Sequence, residues 1–396
     1  MILYYMLAWV SWLVYFAFIV IVYVGLRRLP RTKVIWDNDE LPTASIVVAA
    51  RDEETRIGRL MDCLEAQDYP THKFEVIVVD DRSTDSTGDL VRNRSNETMR
   101  YKVIRIRDGE NQGRAPKKYA LSRGIALATG EIIVTTDADC WMGPLWLRTL
   151  LSPFKDEEVQ GVTGTSRFIR SKHAPKPWWS DLESLEHLSY SVMAAGSIGS
   201  GHVTNAHGSN LAARRCAYER IGGYSSNDRI TSGDDVFLLQ DIVKHGGEVR
   251  FVERQEAYVF SHPVNTAREW VNQRARWSSK GFYYPPFLMF LVVGTFFYYL
   301  MVAISLPLAI FGRVAPSLPV LLAMLKLTSE SVITRKGMMI FQERFPAGKF
   351  FLTQLIHAPA IFYAGFRGQF FKFTWKSQDF GGLSSQRDQR VRDKAA

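Results

Sequence analysis

Asp137 and Asp139 stand two positions apart at the end of an apolar run that begins at Ile132. A buried strand ending in a pair of acids suits a hard divalent cation, because Mg²⁺ is typically held by one or two carboxylates together with substrate phosphates. The pattern recurs upstream. Val76 to Val79 runs apolar into Asp80 and Asp81, followed by Ser83, Asp85 and Thr87 where a helix could be capped. Ala44 to Ala50 runs into Arg51, Asp52, Glu53 and Glu54, and then into a periodic segment at Leu60, Cys63 and Leu64. A further acidic pair, Asp234 and Asp235, follows Gly233 and precedes the apolar Val236 to Leu239. Such carboxylates can hold a metal, contact a nucleotide or accept a proton. Asp85, Asp234 and Asp235 also suit the simpler role of helix-start acids.

Strands and helices in alternation predict a parallel α/β sheet, with its ligand crevice beyond the carboxyl ends of the strands. The chain has 396 residues, more than one typical domain, and the stretch from Leu41 to Lys280 can bury a full core. Its three cysteines, Cys63, Cys140 and Cys216, are far apart and form neither a disulfide framework nor a zinc pattern. The net charge of +9 gathers beside apolar segments and forms no aromatic-interleaved basic stripe. It therefore points to anionic lipid headgroups and away from nucleic acid.

Membrane residence is legible directly. Ile2 to Leu26 carries no charge, and as a helix it would reach about 37 Å at about 1.5 Å per residue. It lacks the basic start and small-residue cleavage site of a signal peptide. Arg27, Arg28, Arg31 and Lys33 follow at once, which puts the next domain in the cytoplasm by the positive-inside rule. A second uncharged stretch, Gly281 to Gly312, is expected to cross back. Val314 to Leu325 is short, contains Pro316 and Pro319, and gives way to Lys326 and Glu330; Phe350 to Phe366 includes Gln354, His357 and Pro359. Two or three C-terminal spans are expected. The basic tail, with Arg367, Lys372, Lys376, Arg387, Arg390, Arg392 and Lys394, favours the cytoplasm and hence an even number. The expected domains are an anchor over 1–28, a catalytic domain over 41–280, membrane or interfacial helices over 281–373 and a tail over 374–396.

Four ordered elements, Val79 to Asp85, Thr136 to Asp139, Gly233 to Asp235, and Gln273-Arg274-Ala275-Arg276-Trp277, resemble the family 2 inverting glycosyltransferases. The resemblance spans residues 43 to 280 and implies the GT-A, Rossmann-like nucleotide-diphospho-sugar fold. The Gln-x-x-Arg-Trp element narrows it to membrane-embedded members: cellulose, hyaluronan and poly-N-acetylglucosamine synthases, ceramide glucosyltransferases, and bacterial enzymes that glycosylate carotenoids or other lipids.

The resemblance implies roles for individual residues. Asp139 would coordinate Mg²⁺ or Mn²⁺, and Asp137 would assist it or contact the nucleotide sugar. Asp81 would contact the base or ribose, with Ala50, Arg51 and Glu53 lining the same pocket; Asp52 stands where many relatives have Asn. Gly113 to Gly124 is similar to a stretch that approaches the sugar-diphosphate, with its lysine register shifted. Lys118 is the preferred donor contact and Lys117 the alternate. Asp235 takes the position of the catalytic base, and Asp234 replaces a Glu. Gly208, within the glycine-bearing segment from Gly201 to Arg215, would border the acceptor together with Asp234, Gln273 and Trp277. Arg276 would reach the diphosphate. His202 and His207 have no clear third ligand and are not read as a metal site. Trp178 to Met193 reads as an amphipathic helix, open to membrane docking or to core packing.

The expected enzyme is a multi-pass cell-membrane hexosyltransferase that moves sugar from a nucleotide donor, such as a UDP-sugar, to a lipid hydroxyl. A processive polysaccharide synthase is the enzymatic alternative, although the few spans offer little material for a polymer channel. An inactive scaffold or transport partner would predict damage to the acidic set, and none is visible. The oligomeric state and the identities of sugar and lipid stay open.

Overall fold

The computed structural model describes residues 2–94, 101–170, 177, 179–280, 283–371, 373–375 and 378–380. Trp178, Gly281 and the tail residues Lys372, Lys376, Arg387, Arg390, Arg392 and Lys394 lie outside them. In chain order the elements are α1 (Ile2–Arg28), β1 (Ala44–Ala50), α2 (Ile57–Glu65), β2 (Phe74–Asp80), α3 (Thr87–Arg94), β3 (Tyr101–Arg105) and α4 (Pro116–Ile125). Next come β4 (Ile132–Asp137), β5 (Trp141–Met142), α5 (Trp146–Leu151), β6 (Val159–Gly164), β7 (Ser166–Phe168), α6 (Ser180–Gly199), β8 (Leu211–Arg214) and α7 (Arg215–Arg220). The remainder comprises α8 (Val236–Lys244), β9 (Glu248–Val252), β10 (Val259–Ser261), α9 (Ala267–Ser278), α10 (Pro286–Ile310), α11 (Ser317–Ile340), α12 (Ala347–Phe370) and two short terminal strands.

These elements form two compact units. The first holds Met1–Tyr23, Val264–Met339 and Glu343–Ala396; the second holds Val24–Pro263 and Ile340–Gln342. Helix α9, with Gln273, Arg276 and Trp277, belongs to the first.

The second unit is built on a seven-stranded mixed sheet in the order β3-β2-β1-β4-β8-β6-β9. Strands β1, β2 and β4 are near-continuous runs of apolar residues because an interior parallel strand is buried on both faces. They pair in parallel, with Ala50 opposite Asp80 and Ala49 opposite Asp137, so three strand ends lie in one row. The order reverses between β1 and β4, the kind of switch point where open α/β sheets bind ligands. One sheet face buries Ile46, Val48, Val76, Val78 and Val134 with Leu60, Leu64 and Trp146. Helix α4 packs closely on the other. A Cβ on Gly124 would come within 2.5 Å of Val47 Cγ1 and 2.9 Å of Val79 Cγ2, so glycine sets how near the helix lies.

Helix α6 resolves the choice left open for the segment around it. Leu182, Leu185, Leu188, Val192 and Ile198 are buried, as are Glu183, Glu186 and His187, and the helix packs on β7 and β9. Core packing accounts for it.

In the first unit, three described helices are long and apolar enough to cross a membrane: α1, α10 and α11. The chain thus has one N-terminal and two C-terminal helices of that kind. Helix α11 departs from the sequence expectation, since it continues through Lys326 and Glu330 instead of fading there. The two side chains pair at 2.9 Å one turn apart. Glu330 also accepts from the hydroxyls of Tyr15 and Tyr299 at 3.2 and 2.8 Å, and Lys326 donates to Gln354. Charges within an apolar helix persist where they pair and face other helices. Helix α12 is as long as α11 but carries Lys349, Gln354, Arg367 and an internal Pro359.

Candidate active site

The ends of β1 and β2 knit into one surface. The Asp81 N–H donates to the Ala50 carbonyl at 2.8 Å, and the Asp81 carboxylate accepts from Arg82 Nε at 2.8 Å. Asp52 holds a left-handed backbone, φ 52°, and its Oδ1 accepts from the Thr84 N–H at 2.8 Å. Glu53 is buried; its N–H donates to Thr87 Oγ1, its carboxylate meets Arg56 at 3.2 Å, and its carbonyl starts α2. Arg51 lies 3.6 Å from Asp52. Ala50, Arg51, Glu53 and Asp81 therefore share one edge of the sheet. Asp85 accepts from the Thr87 N–H at the turn into α3 and from the Glu54 N–H, tying that turn to the loop after β1.

Asp137 closes β4, and Asp139 follows in a turn held by the Cys140 N–H on the Asp137 carbonyl. Ala138 turns into the core. The ligand atoms of Asp137, Asp139 and Cys140 all lie within 4.8 Å of one another, the sole such group of acid, cysteine or histidine side chains among the described residues. Two carboxylate oxygens fit a hard cation such as Mg²⁺ or Mn²⁺. Burial and the two neighbouring carboxylates push the Cys140 thiol up, so it packs as a neutral group beside them. His207 is engaged elsewhere, its Nε2 lying 2.8 Å from Ser191 Oγ.

Helix α4 aims Lys117 at this group. Its Nζ lies 2.7 Å from Asp137 Oδ1 and 2.9 Å from Asp234 Oδ2, joining the end of β4 to the loop before α8. Burial alone would push the ammonium down, but the two carboxylates outweigh it and hold Lys117 well above the usual lysine range. Of the two lysines expected to approach the donor, it is the alternate, Lys117, that faces these acids. Neighbouring residues on a helix point about 100° apart, so only one of the two can face the acids. Lys118 is buried, donates to the carbonyl and side-chain oxygens of Asn227 at 2.8 and 2.6 Å, and lies 5.1 Å from the Phe237 ring centroid.

Asp235 is the N-cap of α8. Its Oδ1 accepts from the Val236 N–H at 2.7 Å and its Oδ2 from the Gly208 N–H at 3.2 Å. The Gly208 carbonyl in turn accepts from Thr135 Oγ1 at 2.8 Å. A Cβ on Gly208 would lie 2.9 Å from Asp234 Oδ2 and 3.5 Å from Lys117 Nζ, which leaves room for glycine alone unless the acid shifts. Gly233, φ 83°, makes the turn that presents the acidic pair. Tyr224 joins this edge. Its buried phenol is pushed up, first by burial and then by the charges of Asp234 and Asp235. Reading the chain linearly gave no reason to choose Tyr224; only Gly222 and Gly223 before it, both with positive φ, mark a tight turn there.

The fold and site geometry agree with the family comparison. The model described as "Glycosyl transferase family 2" matches residues 45–222. Those residues are a family 2 glycosyltransferase domain. The chain is 29% identical over 256 residues to the "Probable glycosyltransferase YdaM" of Bacillus subtilis, covering 64% of this chain and 58% of that protein. It is 28% identical over 242 residues to the beta-monoglucosyldiacylglycerol synthase of Nostoc, covering 61% and 49%. The chain thus matches only about half the length of these relatives. The glycosyltransferase domain's GT-A fold is shared with the mannosyltransferase PcManGT of Pyrobaculum calidifontis, solved with GDP-Man and Mn²⁺. The TM-score is 0.61 at 19% identity, over 91% of this chain and 98% of the other. Gln273, Arg276 and Trp277 lie outside the matched residues, on α9 of the other unit.

Proposed function

We propose that this chain is a membrane-bound, metal-dependent inverting glycosyltransferase that passes a hexose from a nucleotide sugar, a UDP-sugar, to the hydroxyl of a lipid. One observation carries the reading: Asp137, Asp139, Lys117, Asp234 and Asp235 converge at the carboxyl ends of the sheet in a chain that also has three helices able to span a membrane. The relative named for monoglucosyldiacylglycerol synthesis supports a lipid acceptor. Arg27 and Arg28 in the last turn of α1, with Arg31 and Lys33 beyond it, support a cytoplasmic catalytic domain.

Asp137 and Asp139 would hold the divalent cation, which when bound supplies charge compensation for the departing diphosphate. Ala50, Arg51, Glu53 and Asp81 receive the nucleotide. Asp235 is the base. As the acceptor oxygen bonds to the anomeric carbon and the bond to the diphosphate breaks, the hydroxyl proton passes to the Asp235 carboxylate. The Gly208 N–H keeps that carboxylate in one orientation, which a base needs more than an extreme basicity. Asp234 and Gly208 border the acceptor.

Incubating labelled UDP-hexose with membranes that contain the full chain tests the reading. The label should enter a low-molecular-weight, organic-extractable product. A ladder of water-soluble, hydrolase-sensitive polymer would overturn the lipid acceptor in favour of a polysaccharide synthase.

A further inference from the structure

Lys117 sits where a second cation would be expected to compete. Its ammonium contacts one oxygen of Asp137, a carboxylate of the candidate metal pair, and one oxygen of Asp234, beside the candidate base. The lysine side chain is 19% exposed and that of Asp234 11%, whereas that of Asp137 is 37%, so water screens the Asp137 contact more than the Asp234 contact and leaves Asp137 within reach of a competing cation. The lysine comes from the first turn of α4, and the close approach of that helix at Gly124 fixes its starting point over the strand ends.

We propose that Lys117 is a placeholder cation that makes divalent-metal binding depend on the donor: it occupies Asp137 until a nucleoside diphosphate offers its ammonium another anion. This rests on the reading of Asp137 and Asp139 as the cation's ligands. A carboxylate already paired with an ammonium attracts a metal less strongly. A diphosphate reverses the balance, because it supplies oxygens to the metal and a new partner to Lys117 together. Metal and donor then strengthen each other's binding by the same factor, as linkage requires. The pairing with Asp234 gives the released ammonium a residual anchor, so it stays beside the diphosphate. Lys117 is a positioning and selectivity residue in this account, and it discourages the acidic pair from taking up metal with no substrate present.

Mn²⁺ binding to the full chain in detergent, followed by the loss of the free-ion paramagnetic resonance signal, tests this without measuring transfer. UDP and GDP serve as the nucleotide probes. Wild type should bind Mn²⁺ weakly alone and about tenfold or more tighter with the matching nucleotide. Lys117→Met should bind Mn²⁺ alone about tenfold tighter than wild type, since an opposite charge within about 4–6 Å shifts a carboxylate's affinity for a proton by a similar or larger factor. Its nucleotide dependence should shrink accordingly. Lys117→Arg, which keeps the charge, should behave as wild type, and Lys117→Gln repeats the test if the Met variant does not fold. A folded, neutral Lys117 variant that binds Mn²⁺ alone no tighter than wild type would overturn the placeholder. Asp139→Ala separates the two claims: if it binds Mn²⁺ as well as wild type, the metal reading itself has failed.

Discussion

The two ends of the same sheet treat carboxylates in opposite ways. Where the strands begin, Glu75 on β2 is saturated. It accepts from Ser45 Oγ at 2.6 Å, from the N–H and hydroxyl of Thr129 at 2.7 and 2.8 Å, and from Lys102 at 2.6 Å. Burial works against its ionisation, but Lys102, Ser45 and Thr129 outweigh it and pull Glu75 down to about 2. Where the strands end, Asp137 and Asp234 share one lysine, and Asp139 and Asp235 stand close by. A carboxylate with a full set of donors stitches strands together. Four carboxylates gathered at one end of the sheet attract cations, which is the condition of a site that binds metal and substrate.

The largest effect expected from breaking this contrast is at Asp139. Asp139→Ala should be inactive at every Mg²⁺ or Mn²⁺ concentration, and chelation should abolish wild-type transfer until metal is returned. Full activity in excess chelator would rule out a catalytic metal. Asp235→Asn comes next. Turnover should fall by roughly 10² or more with donor binding near wild type, and Asp234→Asn should be milder. Near wild-type transfer by Asp235→Asn, with Asp234→Asn dead, would exchange the two roles. Gly208→Ala should lower turnover less than Asp235→Asn does, because its Cβ would meet Asp234 Oδ2 at 2.9 Å and only that carboxylate need shift, by a fraction of an ångström.

The smallest effect belongs to the other end. Glu75→Gln should leave transfer unchanged and lower the melting temperature near neutral pH. The sign follows from the depressed value: the stabilisation is complete above the ordinary glutamate value and fades as pH falls toward about 2. Melting curves of both proteins should therefore converge between about pH 5 and pH 2. A constant gap across that window would mean that packing, and not ionisation, is what Glu75 contributes.

The strand ends were legible because interior parallel strands are continuous apolar runs, so the first acids after them mark the carboxyl edge. Asp80, Asp81 and Asp137 sit where that rule puts them. Which lysine faces the acids was not legible. Lys117 and Lys118 differ only in helix phase, and their partners Asp234 and Asn227 are distant in the chain. The hold of Gly208 on Asp235 is likewise tertiary. Helix α11 was read as too short for the same reason: Lys326 and Glu330 look like an end until Tyr15, Tyr299 and Gln354 are seen to satisfy them. The helix after Trp179 hid its burial because its inward positions include Glu183, Glu186 and His187.

Mass spectrometry of lipid extracts from one host strain expressing either wild type or Asp235→Asn, at matched protein levels, tests the central claim most directly. A hexosylated lipid should accumulate with wild type and be nearly absent with the variant. Equal amounts of that lipid in both strains, or wild-type activity that yields only water-soluble polymer, would contradict transfer to a lipid with Asp235 as the base.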